Sequence, residues 1–447
     1  MGSIANVLRR FKQNWTEELS TDAIAQACHD AGMTWYESAL NPVVTIQIFF
    51  GQVLHGNTAI EHLRHLTGLS FTAAAYCKAR MRVKLEVLCL LLQRCVEQLH
   101  QETFETARWL GHRVFHVDGS SFSMPDTPQL RAHFGQPGQQ QPGCGFPVAH
   151  WLVMVHAATG MITKMLTAPL RTHDMSGVSE LHPELRAEDL LVADRGFCSY
   201  AHLALLLQRG VHGLLRIHQR TIVDFTPGRG HVHPARGKAD RKQGQPRSRW
   251  IKQLGAIDQL VQWFKPPDRP LWMSQEQYAA LPAAIMVREL RYTIHQKGFR
   301  PEEITLVTTL LDAQRYTLRD LASLFQQRWE IETNFGHLKT TMKMDVLKCK
   351  TVDGVLRELQ VFALIYNMVR QVMLAAARRQ DVHVNRISFM DALRWLQSAS
   401  PGNPLPKLVV NPQRPNRIEP RVRKRRPKQY PLMNKPRRQL KKRLEGN

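Results

Sequence analysis

The spacing of hydrophobic residues divides the chain into a helical first part and a mixed second part. Up to about residue 105, apolar residues recur at intervals of three and four, as in Ile46, Phe49, Phe50 and Val53, which is typical of amphipathic helices. From residue 113 onward the apolar runs become short and are bounded by turn residues, which indicates strands. The pattern therefore predicts a helical N-terminal region followed by an α/β region.

Short apolar runs in the second part end in acidic residues. Residues 113–118 form a run that ends in Asp118, and residues 190–194 form a run that ends in Asp194. Residues 151–170 between them predict a hairpin, and residues 304–310 predict a further strand. Because side chains at the ends of neighbouring strands of an α/β sheet face one crevice, we expect the two aspartates to lie together.

A long amphipathic helix is predicted from about Leu318 to Met342, and it carries Glu332. Arg328 and Lys339 share a helix face with Glu332, since the three positions are separated by four and seven residues. The three carboxylates with these cations suit a divalent metal site that acts on phosphate. Two plainer interpretations stay open: strand-end aspartates are often turn residues, and Arg328 with Glu332 is often a surface pair.

The positive charge of the chain indicates a polyanionic partner. The 447 residues, enough for two or three domains, include 61 Lys and Arg against 37 Asp and Glu, a net charge of +24. Residues 401–447 contain 15 of those cations against two Glu and are rich in proline, which predicts a disordered basic tail that binds nucleic acid phosphates. A tail that only aids solubility is the alternative. Residues 216–252, with ten Lys and Arg against two Asp, predict an irregular or β-rich insertion.

Composition also excludes several classes of protein. The seven cysteines are scattered and form no C-x-x-C pair, so we expect reduced thiols rather than a zinc ribbon or a disulfide framework. There is no uninterrupted apolar stretch of ~18 residues and no secretory apolar core at the start, so we expect no membrane partner. The expected location is cytoplasmic, in association with the nucleoid.

Four segments resemble bacterial insertion-sequence transposases of the DDE type, in the "insertion-sequence four" family. Residues 324–339 resemble the family's Y-x2-R-x3-E-x6-K signature, residues 117–127 its first-aspartate block, and residues 192–197 its second. Residues 75–80 are similar to a recurring segment of its N-terminal region. The segments occur in the family's order over residues 40 to 345.

The resemblance implies an α/β fold with a ribonuclease-H-like catalytic core. Together with the patterns above, it predicts a helical DNA-binding domain at 1–105, a catalytic domain at 106–345 with an insertion at about 210–300, a helical region at 346–400 and the tail at 401–447. A plain packing domain is the alternative for residues 1–105. The resemblance also implies that Asp118, Asp194 and Glu332 are the catalytic, metal-binding triad.

The same resemblance implies a DNA-binding role for several neighbours of the triad. Arg328 and Lys339 would grip phosphates near the cleaved end. Phe325 stands where the signature has tyrosine, so a ring is kept and a hydroxyl is lost. Arg195 either touches DNA or forms an ion pair with Asp194.

The implied activity is cut-and-paste transposition, in which Mg²⁺, with Mn²⁺ able to substitute, supports cutting of the element's ends and their joining to target DNA. The implied partners are double-stranded DNA, as end repeats and target, and a second copy of the chain in the synaptic complex. Relatives pass through a DNA hairpin whose flipped base stacks on an aromatic residue, for which Trp250, Trp263 and Trp272 are candidates, although tryptophan is more often a core residue. Two rivals remain: an inactive or repurposed DNA-binding protein of the same fold, and a metal-dependent nuclease without strand transfer.

Overall fold

The structure is a computed structural model. It describes residues 19–99, 107–137, 145–170, 172, 177–234, 244–295, 302–398 and 404–412, with 435–436, 439–440 and 442. Most of the predicted basic tail lies outside the described residues.

The described residues of the first part, 19–99, form helices. These helices are α1 (Thr21–Asp30), α2 (Pro42–Leu54), α3 (Ile60–Thr67), α4 (Ala73–Arg82) and α5 (Leu85–Leu99). The side chains of Ser20, Asn41 and Thr72 accept hydrogen bonds from backbone amides in the first turns of α1, α2 and α4. These caps satisfy donors that have no partner within the helix, so polar residues in the sequence fix where each helix begins.

A nine-stranded sheet forms the second part, in the order β3-β2-β1-β4-β5-β9-β8-β7-β6. Its strands are β1 (Val114–Ser123), β2 (Val148–His156), β3 (Ile162–Pro169), β4 (Leu190–Ala193), β5 (His212–Arg216), β6 (Arg249–Gly255), β7 (Asp258–Phe264), β8 (Ala284–Ile294) and β9 (Glu302–Thr308). Strands β1, β4 and β5 run parallel, whereas β1–β2–β3 form the predicted antiparallel meander. Strand β4, which lies between the other two parallel strands, is short, apolar and fully buried, as expected for a central strand with both faces of the sheet covered.

The predicted β-rich insertion extends this sheet. Strands β6, β7 and β8 are antiparallel, and β9 returns the chain to the edge of β5 through the pairs 214–216 with 306–308. The remaining helices of this region are α6 (Pro128–Phe134), α7 (Tyr200–Gln208) and α8 (Gln275–Ala279). The sequence indicated strands here but did not predict that they would join the central sheet.

The predicted helix over 318–342 is divided. It comprises α9 (Leu318–Gln327), α10 (Glu330–Gly336) and a π-helical turn at His337–Thr341. The break at residues 328–329 lies where the Arg328 side chain turns into the protein. A π-helical turn shifts the direction of the residues it carries, and Lys339 lies within it.

Two further helices complete the core, α11 (Val352–Gln380) and α12 (Phe389–Ser398). One hydrophobic cluster joins α1, α2 and α5 to β1–β3, α10, α11 and α12. In the described residues α11 is the one helix long and apolar enough to span a membrane, and 78% of its most apolar window is buried inside the protein. It is therefore packed as a central core helix.

Candidate active site

The two predicted aspartates lie side by side. Val117 of β1 pairs with Ala193 of β4 in parallel register, so Asp118 and Asp194 follow at the same level of the sheet. Asp118 accepts a hydrogen bond from the amide of Gly119 at 2.9 Å. The two aspartates are thus neighbours as predicted, but only Asp194 follows the end of its strand. Strand β1 continues to Ser123 because it keeps pairing with β2 beyond the end of β4, so Asp118 lies in the middle of β1.

A buried ion pair holds this register from the other end of the strands. Arg113, just before β1, donates from Nε to Oδ1 of Asp189, just before β4, at 2.7 Å, and a second bond joins Nη2 to Oδ2. Both side chains are 2% exposed. Asp189 also accepts from the backbone amide of Arg186 at 2.7 Å. Because the pair is bidentate, it fixes the relative position of the two strands as well as their proximity.

Arg328 connects Asp118 to Glu332. Its guanidinium lies 3.3 Å from Oδ2 of Asp118 and 3.9 Å from Oε1 of Glu332. The Arg328 side chain is 4% exposed, whereas that of Glu332 is 44% exposed. The structure thus brings all three predicted carboxylates to one region, with a buried cation between two of them.

Aromatic rings hold the Arg328 side chain in place. Its guanidinium carbon lies 5.7 Å from the ring centre of Phe325 and 5.2 Å from that of Trp329. Phe325 itself is 2% exposed and belongs to the core between the sheet and α9. Phe325 therefore lies beneath Arg328, and a direct contact between its ring and DNA stays a prediction.

The two other predicted DNA-binding cations lie near the aspartates. Lys339 donates from Nζ to the backbone oxygen of Ser121 at 2.7 Å and to Oγ of Ser120 at 3.3 Å, just past Asp118 in β1. Arg195 is exposed and donates a hydrogen bond to Oε1 of Gln219 at 2.6 Å. Its partner is therefore Gln219, whereas one of the two predictions was an ion pair with Asp194. Arg328 differs from both because it is turned away from solvent.

The donor chemistry suits a hard divalent cation. Asp118, Asp194 and Glu332 offer only carboxylate oxygens, which are the ligands that Mg²⁺ prefers. Oδ1 of Asp194 is buried and makes no hydrogen bond in the described structure. A buried carboxylate oxygen without a donor is costly unless a cation satisfies it. The residues present therefore fit the metal that the sequence pattern implies.

A different group of possible metal ligands lies at the opposite end of the parallel strands. In the described residues, His112, Glu188 and His212 place ligand atoms within 4.8 Å of one another. Both ring nitrogens of His112 are engaged, Nδ1 with the backbone oxygen of Glu188 at 2.6 Å and Nε2 with the hydroxyl of Tyr316 at 2.8 Å. Burial, and then His112, lower the pKa of His212. Sequence reasoning missed this group because three separate elements contribute it and no local spacing marks it.

A cavity of about 190 Å³ lies between the insertion and the segment that follows Asp194, with Tyr200 and Trp263 in its lining. The indole of Trp263 donates to Oε1 of Glu289 at 2.8 Å, and Gln259 donates to its other oxygen at 2.8 Å. Burial raises the pKa of Glu289. Of the three candidate tryptophans, Trp263 is therefore anchored by a hydrogen bond while it faces a cavity.

Comparison with known proteins gives one consistent family. Residues 109–368 match the model of the transposase DDE domain, and this range includes Asp118, Asp194 and Glu332. The transposase InsG for insertion sequence element IS4, from Escherichia coli strain K12, is 25% identical over 381 residues, which are 81% of this chain and 78% of that protein. The putative transposase InsZ of the same organism is 23% identical over 138 residues, 31% of this chain and 46% of that protein.

A solved structure also aligns with the chain. It is the cryo-EM structure of the piggyBac transposase synaptic complex with hairpin DNA, at 12% identity and a TM-score of 0.40. The alignment covers 89% of this chain and 80% of that one.

Proposed function

We propose that this chain, which belongs to the transposase DDE domain family, is an active enzyme of the insertion-sequence four type that cuts the ends of its element and joins them to target DNA. The observation that carries this proposal is the placement of Asp118 and Asp194 at one level of two parallel strands, with Arg328 bridging Asp118 to Glu332. The catalytic residues are Asp118, Asp194 and Glu332.

The catalytic core has a ribonuclease-H-like fold. This is supported by strands β3-β2-β1-β4-β5, in which an antiparallel meander is followed by two parallel strands. The catalytic domain spans residues 106–345, with the insertion at about 210–300. It is flanked by the DNA-binding helical region 1–105, the helical region 346–400 and the basic tail 401–447.

Each residue of the site has a distinct task. Asp118, Asp194 and Glu332 would hold Mg²⁺, or Mn²⁺ in its place. When bound, the divalent ions polarise a phosphoryl oxygen and lower the pKa of a bound water, which supplies a nucleophile at neutral pH. Arg328 offsets the negative charge of Asp118 and Glu332 and keeps them in position.

Positively charged side chains at the rim would orient the DNA. Lys339, held on Ser120 and Ser121, presents its ammonium beside the carboxylates, where it would contact a phosphate near the cleaved end. Arg195 is exposed directly after Asp194 and would contact the same strand or its complement. Double-stranded DNA is the substrate, the active assembly is a homodimer that joins two ends, and the protein is nucleoid-associated in the cytoplasm.

A plasmid-excision assay tests the proposal. A supercoiled plasmid carries the repeats that flank the gene, and wild type is compared in Mg²⁺ with Glu332→Gln and with Glu303→Gln as control. Glu303 is also a strongly exposed glutamate, but it lies on β9 and faces Arg291 at 3.8 Å. We expect excision by wild type and Glu303→Gln, and loss of excision with retained DNA binding by Glu332→Gln.

The same assay separates the rival functions. Equal cutting by wild type and Glu332→Gln removes Glu332 from the site. Binding without cutting by wild type favours an inactive or repurposed DNA-binding protein. Cutting without joined products favours a nuclease that lacks strand transfer. A denaturing gel of the excised ends checks for a hairpin, and excised ends that never form one refute that step.

A further inference from the structure

A second positively charged site lies away from the carboxylates, where the N-terminal helices meet the start of α11. It is a pocket of about 390 Å³, and four of its lining residues are Arg80, Lys348, Lys350 and Arg357. We call it the basic pocket. Arg80 comes from α4, the two lysines come from the segment after the π-helical turn, and Arg357 comes from α11. Elements distant in sequence thus direct four cations to one place.

The negative charge around the basic pocket is smaller than the positive charge. Its lining contains no acidic residue. Behind the lining, Glu358 is fully buried, and its carboxylate is occupied by the amides of Lys348 and Cys349 and by the side chain of Asn57. Asp353 lies 3.9 Å from Arg357 and is strongly exposed. Counting these two acids, the site keeps an excess of two positive charges, which favours an anion.

Arg80 is held in place by aromatic rings, and one donor of each arginine is unused. Arg80 lies over the rings of Phe49 and Tyr76, at 4.7 Å and 5.1 Å from the ring centres. Its Nε and that of Arg357 are buried and make no hydrogen bond in the described structure. Lys348 and Lys350 are exposed at the rim. Donors that are fixed in advance lose little entropy when they bind an anion.

The basic pocket is joined through the backbone to β1, the strand that carries Asp118. The segment that carries the two lysines is attached to the end of β1, where the amide of Ser123 donates to Asp345 at 3.1 Å and that of Leu347 donates to Ser123 at 3.0 Å. Ser123 follows Asp118 by five residues in the same strand, or roughly 17 Å at the usual rise. The segment from Lys339 to Lys350 therefore begins beside Ser120 and Ser121 of β1 and ends at the lining of the pocket.

We propose that the basic pocket binds backbone phosphates of the element's end DNA, about five base pairs from the cleaved end. The spacing follows from a base-pair rise of ~3.4 Å applied to the roughly 17 Å between Asp118 and Ser123 along β1. The inference rests on the proposed function for its ligand. Phosphate contacts of this kind fix the position of a duplex and carry no sequence information.

The test compares the full-length wild type with Lys348→Gln/Lys350→Gln. The probe is a fluorescent duplex of about three helical turns that carries the terminal repeat, titrated across a potassium chloride series. The matched control is Arg394→Gln/Lys407→Gln, which removes the same charge from two exposed cations elsewhere. Because each phosphate contact contributes about 0.9 to the slope of log affinity against log salt, we expect the slope to fall by about two in the pocket variant.

Two further readouts guard against a folding artefact. Lys348 also donates to the backbone of Asn57, so Lys350→Gln alone is measured and should lower the slope by about one. Ethylation interference should disappear at phosphates about five base pairs from the cleaved end, and only in the pocket variants. A pocket variant that matches the control in slope and in interference overturns the proposal.

Other results separate the ligand from the function. If inorganic phosphate stabilises wild type against heat but not the pocket variant, and the DNA salt slope is unchanged, the site binds free phosphate and the DNA assignment is wrong. If wild type fails to excise while the pocket variant still lowers the slope, the phosphate site stands and the proposed transposase activity fails. If the pocket variant cleaves DNA normally once its concentration saturates the duplex, the assignment is supported, because the variant then lacks only affinity and its carboxylates are intact.

Discussion

The buried pair between Arg113 and Asp189 should be worth far more than an exposed pair. Replacing Arg113 with methionine keeps much of the side-chain volume but leaves the Asp189 carboxylate buried without its cation. Both partners are 2% exposed, so solvent cannot replace the lost interaction. Breaking a buried pair from one side costs about 3–5 kcal/mol. We therefore expect Arg113→Met to lower the free energy of unfolding by that amount.

The assay is urea unfolding followed by circular dichroism, with two comparisons. Lys164→Met breaks the pair with Glu184, whose side chains are 42% and 30% exposed, and should cost less than about 1 kcal/mol. Arg113→Met/Asp189→Asn removes both charges while the new amide can still accept from Arg186. The double variant should recover part of the stability lost in Arg113→Met.

Two results would refute this reasoning. One is an Arg113→Met variant as stable as Lys164→Met. The other is a double variant less stable than Arg113→Met, because the cost would then not arise from an unpaired charge. Since the pair also fixes the register of β1 against β4, we further expect Arg113→Met to lose excision activity at temperatures where it remains folded.

Two other predictions concern stability. Gly160 has φ +69°, and an added Cβ would lie 2.2 Å from Nη2 of Arg370, so Gly160→Ala should lower the free energy of unfolding by several kcal/mol. Gly228 has φ +70° with nothing within 4 Å of an added Cβ, so Gly228→Ala should cost only the backbone strain of about 1 kcal/mol. Urea midpoints of the two variants check this, and equal losses would contradict it. The pKa of buried His182 is lowered to about 3, mainly by burial and then by His202. Because the unfolded chain then binds more protons below about pH 6.5, stability should fall as pH drops from 7 to 5. His182→Gln should reduce the slope of unfolding free energy against pH by up to the contribution of one proton. An unchanged pH dependence would show that His182 does not cause the loss of stability.

The sequence was sufficient to predict that Asp118 and Asp194 lie together, because the signals for this are local. Asp118 and Asp194 each end an apolar run, and parallel strands place such ends together. The amphipathic pattern around Glu332 identified the helix, but it could not predict the break at residues 328–329. Apolar positions such as Leu324, Ile331 and Leu338 continue across the break, so the pattern is the same with or without it.

Features that depend on distant pairing were not predicted. The edge of β5 is joined by β9, about ninety residues later, and nothing in either strand specifies that partner. The basic pocket likewise combines Arg80 with Lys348 and Arg357. Local periodicity reports which face of an element is buried, and it carries no information on which element covers that face.

The central position of α11 has a consequence for synthesis on the ribosome. The hydrophobic cluster of α1, α2 and α5 is completed by α11, whose first residue, Val352, is made long after Leu99. At ~5–20 residues per second the intervening chain takes roughly 13–50 s to translate. During that interval the nascent N-terminal helices expose the apolar surface that the later helix covers. A chain released before residue 352 therefore presents an unfinished core to chaperones and proteases, so intact protein accumulates only from complete translation.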